Sequence, residues 1–208
     1  SGTFEGVARA ARETAKRHPD FKYALIDSMT NCMEMGWPAI AAAKAAKTGA
    51  SLDDCIQAAN TSLHSTRFVF APESLLFLQK GGRIGKAAAL IGNMISLTPV
   101  LTVNDGEAST FSKCRTQKKA LAKMLQVLGE DTAPSGLKNL VVHYIGSKAP
   151  AVKWAEEKVA PLIGFMPRVV PASPVIGVHV GPAIGIAYEC NAPIPNKFHG
   201  SEPEIIVC

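Results

Sequence analysis

Two short segments hold the residue types from which this sequence could build a reactive or binding site. The first is Gly81-Gly82-Arg83-Ile84. Paired glycines end a helix and admit close backbone approach, and the residue after them is a permanently charged fork of donors. Such an arginine either caps the carbonyls of the helix it follows or holds an anion. The second is Gly177-Val178-His179-Val180-Gly181-Pro182. It reads as an apolar strand whose flanking glycines mark a place where something approaches the backbone. His179 is then either a satisfied core residue or a donor facing a site.

Other chemistries lack their residues. Lys80 to Lys86 resembles a phosphate loop only in part, because Lys80 stands where the first glycine belongs and Ala87 replaces the magnesium-binding hydroxyl. No G-x-G-x-x-G follows a strand, and no G-x-S-x-G elbow is present. His64, His143 and His179 are far apart and form no H-E-x-x-H, so no metal site is expected. Cys32, Cys55, Cys114, Cys190 and Cys208 are odd in number and without C-x-x-C spacing. They read as small core residues in a protein of the reducing cytoplasm, with nothing marking a nucleophile. A net charge of +5 is dispersed, and only 6% of residues are aromatic. Nucleic-acid binding would need a basic stripe interleaved with aromatic rings, so no nucleic-acid partner is expected.

Five ordered segments resemble one known family, the DegV proteins. Ser1-Gly2-Thr3-Phe4 is similar to its L-S-G-T-[YF] loop, and Ile26-Asp27-Ser28 with Met35-Gly36 to its D-S…G segment. Leu75 to Ile84 resembles L-x-x-L-K-K-G-G-R-I. Leu97-Thr98-Pro99-Val100-Leu101 with Asp105-Gly106 and Arg115 resembles I-K-P-[IV]-L…D-G…R, and Val175 to Pro182 the P-V-I-G-x-H-x-G-P ending. The resemblance implies a two-domain α/β protein that buries a long-chain fatty acid between its domains and presents the carboxylate to a fatty acid kinase. It implies Arg83 beside the carboxylate, His179 hydrogen-bonded near it, Gly181 at the same segment, and the Ser1-Gly2-Thr3 hydroxyls bordering the head-group pocket. A non-enzymatic role follows, without cofactor or metal and with transient membrane contact. The rival reading is an enzyme acting on an acyl or phosphorylated substrate, with His179 as base and Arg83 as anion stabiliser. Two departures stand out. His179-Val180-Gly181-Pro182-Ala183 is one glycine short of H-x-G-P-G-A, and Asn191 to Cys208 runs past the family's usual end.

The elements that must position these residues follow from apolar periodicity. Phe4, Val7, Ala8, Ala11 and Ala15 predict a helix over 4–16, and Tyr23 to Asp27 a short buried strand. Trp37-Pro38 opens a helix that Gly49 closes, and Ser51 with Asp54 caps another. Arg67 to Phe70 is a strand, Pro72 starts a short helix carrying Leu75, Leu76 and Leu78, and Lys86 to Ile95 is helical. Pro99 to Val103 and Ala108 to Cys114 flank Asn104-Asp105-Gly106 as a hairpin. Beyond it come a helix with Leu121, Met124, Leu125 and Leu128, a strand over Asn139 to Ile145, a helix over Val152 to Val159, and strands at Arg168 to Val170 and Ile184 to Tyr188. The class is α/β. Residues 1–71 are expected to be the remainder of an N-terminal parallel-sheet α/β domain, and residues 72–208 an α+β domain with a mixed sheet. A polar start without methionine reads as internal to a longer protein. No apolar stretch approaches the roughly 20 residues of a membrane-spanning helix.

Overall fold

The computed structural model describes residues 2–195, 197 and 203–207. Helix α1 (Gly2–Arg17) leads to β1 (Ala24–Ile26), α2 (Cys32–Lys47), α3 (Leu52–His64) and β2 (Thr66–Pro72). A short α4 (Leu76–Lys80) and a 3₁₀ segment (Gly85–Ser96) precede the hairpin of β3 (Val100–Asn104) and β4 (Glu107–Ser112). Then follow α5 (Gln117–Thr132), β5 (Leu137–Ile145), α6 (Lys148–Trp154), a π turn (Ala155–Val159) and α7 (Ala160–Ile163). The chain closes with β6 (Arg168–Pro171), α8 (Pro174–Val180), β7 (Ala183–Cys190) and β8 (Ile205–Val207).

Six strands form one mixed sheet in the order β4-β3-β2-β7-β5-β6, in which only β5 and β6 run parallel. Side chains alternate across it. Val69, Val100, Val142, Ile186 and Tyr188 pack with Met124 and Leu128 of α5 and Trp154 of α6. Phe68, Phe70, Leu101, Val141 and Ala187 pack on the other side with Leu78 of α4, Leu90 and Val180 of α8. The hairpin turns at Asp105 (φ 52°) and Gly106 (φ 76°), the two positive φ values of a type I′ turn. Ser51 and Asp54 form the expected capping box.

Several expectations need correction. Helix α2 begins at Cys32 rather than at Trp37-Pro38, because extended Asn31 already ends the loop as N-cap. Pro38 therefore lies inside the helix, where it cannot donate to the Glu34 carbonyl. That carbonyl has Thr66 Oγ1 at 3.4 Å instead. Strand β1 is only half-buried and pairs antiparallel with β8, from the tail beyond the family's usual end. Strand β2, expected within the first unit, lies mid-sheet between β3 and β7. His179 sits on a helix, not a strand: Ser173 is extended and Pro174 occupies the first turn of α8, a start signal that outweighs the alternation of valines.

Two buried polar clusters tie the layers together. Tyr188 Oη and Arg67 Nε each donate to Asp131 Oδ2 at 2.6 Å, which fastens α5 to β2 and β7. Buried Glu189 accepts from Ser62 Oγ at 2.7 Å, Lys138 Nζ at 3.0 Å and Asn139 Nδ2 at 2.6 Å. No described helix is long and apolar enough to cross a membrane.

Candidate functional site: a charged cleft and an apolar slot

Helix α4 ends in a Schellman motif. Arg83 N donates to Leu78 O at 2.8 Å and Gly82 N to Gln79 O at 3.1 Å, with Gly82 at φ 66° in the left-handed region. This turn throws the Arg83 side chain outward, exposed, where Nη1 donates to Gly81 O at 2.8 Å. Arg83 thus caps a carbonyl with one nitrogen and keeps the rest of its fork available.

Helix α8 brings His179 to the same place. Arg83 and His179 line one cleft of about 240 Å³ together with Glu107, Gly82, Ile176 and Val180. A Cβ on Gly81 would lie 2.6 Å from His179 Nδ1, so only glycine lets α4 approach the imidazole this closely. His179 Nδ1 is itself buried and has no hydrogen-bond partner among the described residues. Gly181 does not line the cleft. It ends α8 at φ 68° and lies flush under the Phe77 ring, which any side chain there would strike. Gly2 and Thr3 are exposed in the first turn of α1 and are not among the cleft's lining residues, while Ser1 lies outside the described residues.

The cleft adjoins a second, apolar space. Asn31, Phe70, Ile176 and Val180 are common to both. Beyond them a narrow slot of about 30 Å³ runs between Phe68, Ile145, Ala183, Gly185, Cys32 and His143. Phe68 and Phe70 stack at 5.1 Å, and Phe68 meets the His143 ring edge-on at 5.9 Å. Burial, and secondarily Glu34, pushes the Cys32 thiol up to about 12, so it stays a protonated, inert lining group. Met29 (φ 49°), in the loop before α2, and Cys32 (φ 53°), its first residue, hold positive φ, a conformation that costs non-glycine residues about 1–3 kcal/mol.

Sequence reasoning missed Asn31 and His143 as site residues. Asn31 was not singled out in the sequence, and His143 stood only as one of three scattered histidines. Burial pushes the His143 imidazole down to about 4, weakly opposed by the nearby Val170 backbone, which is not in hydrogen-bonding geometry. The ordinary value is 6.5, so between these limits the unfolded chain takes up a proton that the folded one refuses. The His143 contribution to stability should therefore be constant above pH 6.5 and fall by on the order of 3 kcal/mol as pH drops toward 4. Denaturation of wild type and His143→Phe across this range checks it: the variant should lose less, and parallel curves would contradict the assignment.

A family model described as an uncharacterised protein of the DegV family matches residues 1–191. A DegV domain-containing protein of Clostridium acetobutylicum is 43% identical over 194 residues, covering 90% of this chain and 66% of its own length. The chain thus spans about two-thirds of that relative. Among solved structures, DegV of Bacillus subtilis, described as a fatty acid binding protein, is 30% identical with a TM-score of 0.69, covering 79% of this chain and 59% of that one. A stearic-acid-binding protein of Eubacterium ventriosum shares the fold at TM-score 0.79 and 24% identity, covering 92% and 67%. The α/β architecture, the mixed sheet and the glycine-arginine and histidine segments converge on one assignment: the chain belongs to the DegV family.

Proposed function

We propose that this chain binds a long-chain fatty acid, with the carboxylate in the Arg83–His179 cleft and the tail in the slot beyond it. The observation that carries this reading is the adjacency of the two spaces: a cation and an imidazole line one, aromatic and aliphatic walls the other, and four lining residues are common to both. The fatty-acid ligands of related solved proteins support it. A general base would need an orienting partner, and His179 Nδ1 has none among the described residues, which favours holding over catalysis. Gly2 and Thr3 would join the head-group pocket only through a rearrangement of α1.

The slot is narrow, so a tail enters by displacing its cover. Ile176 and Val180 of α8 form that cover, and α8 is only seven residues long. Its outer face exposes Val175 (70%) and Val178 (69%), and the adjoining α4 exposes Leu76 and Phe77. This apolar rim suits transient contact with a lipid surface during loading. The exposed Arg83 fork then suits presentation of the carboxylate to a fatty acid kinase, where it would offset charge developing on the acyl phosphate.

One assay addresses the whole sequence: fatty acid supplied in phospholipid vesicles, a fatty acid kinase with ATP, and acyl phosphate as readout. Arg83→Ala should weaken fatty acid binding about 10- to 100-fold, the value of one charge-assisted hydrogen bond. Acyl phosphate formation at saturating lipid should fall further, with Arg83→Lys restoring it only in part. Unchanged turnover in Arg83→Ala would reduce Arg83 to the cap of the Gly81 carbonyl.

A further inference from the structure

In the slot, two side chains carry buried polar atoms that have no partner among the described residues. His143 is 6% exposed, and neither ring nitrogen forms a hydrogen bond among the described residues. Asn31 Oδ1 is likewise buried and unpaired, although Asn31 stands at the N-cap of α2, where this oxygen would ordinarily accept from a first-turn N–H. Both line the same slot of about 30 Å³, between Phe68, Phe70, Ile176 and Val180. Buried polar atoms are nearly always satisfied, so two orphans facing one apolar channel point to a ligand atom that satisfies them.

We infer that Asn31 and His143 form a polar station in the acyl slot that selects a fatty acid bearing a hydroxyl partway along its chain over the plain chain of equal length. The inference rests on the slot being the acyl channel. Its chemistry is specific. A neutral imidazole offers one donor and one acceptor, and the Asn31 carbonyl oxygen a second acceptor. A hydroxyl can accept from the ring N–H and donate to either acceptor, which a methylene cannot. The register places the station. His143 lies opposite Gly185 on β7, and Gly185 lies opposite Phe70 on β2. His143 is thus two strand spacings, about 10 Å, from the Phe70 wall that borders the charged cleft. With Asn31 at the border of the charged cleft and His143 farther into the slot, the station meets the chain past its carboxylate and before its methyl end.

The test is calorimetric titration with stearate and with hydroxystearates carrying the hydroxyl near the carboxylate, at mid-chain or near the methyl end. The mid-chain isomer should bind roughly 10-fold tighter than stearate, the worth of one buried hydrogen bond. His143→Phe should abolish that preference, read as the ratio of hydroxystearate to stearate affinity within the variant itself. Asn31→Leu, judged on the same ratio, guards against misfolding of the first variant. Stearate binding with no isomer preference, or a preference that survives both substitutions, overturns the polar station alone. Failure of every fatty acid to bind overturns the acyl-channel reading and this inference with it.

Discussion

Affinity should fall about fourfold for each methylene removed from the ligand, because burying a CH₂ is worth about 0.8 kcal/mol. Shortening the chain by about six methylenes should thus weaken binding on the order of a thousandfold. If the Arg83–His179 cleft holds the carboxylate as proposed, the head group is the same throughout the series, so this slope reports the slot. It should level off once the chain outruns the space between Phe68, Ile145 and Ala183. Calorimetry from octanoate to stearate measures it directly. Equal affinity across the series would mean that only the head group is recognised and that the slot stays closed.

Asp131→Ala should lower the unfolding free energy by about 3–5 kcal/mol, the effect of leaving a buried charge without its partner. Arg67 is 8% exposed, and Asp131 accepts from both its Nε and Tyr188 Oη. Removing the carboxylate strands both donors, and the Arg67 guanidinium keeps its position 5.6 Å over the Phe111 ring and the more distant charge of Glu34. Arg67 borders a polar cavity of about 330 Å³, through which water can soften the penalty toward the lower figure. Tyr188→Phe leaves the ion pair intact and should cost about 1 kcal/mol. Urea denaturation of the two variants checks the ordering. A loss under about 1 kcal/mol for Asp131→Ala would show that the pair is already compensated by solvent.

Much of the architecture was legible because it rests on local rules. The capping box at Ser51 and Asp54, the Asp105-Gly106 turn and the glycine stop after Lys80 depend on side chains and φ preferences within a few residues, and each stands where the sequence puts it. The errors have one origin. Pro38 reads locally as a helix start, but an extended N-cap at Asn31 and a hydroxyl from β2 near the freed carbonyl let the helix run through it. Val178-His179-Val180 has the period of a strand, but seven residues are too few to separate that period from a helical turn.

By itself the sequence determined the family, the α/β class and the pairing of Arg83 with His179 as residues worth watching, since motif spacing and turn chemistry are written in the chain. Only the tertiary structure decided that α4 and α8 bring these two to a common cleft, that β2 belongs mid-sheet, and that Asn31 and His143 face a channel. Those facts depend on which strands pair and which faces are covered, and pairing joins residues as distant as Arg67 and Tyr188. No local window contains both partners, so the energy that chooses between arrangements appears only when the sheet is assembled.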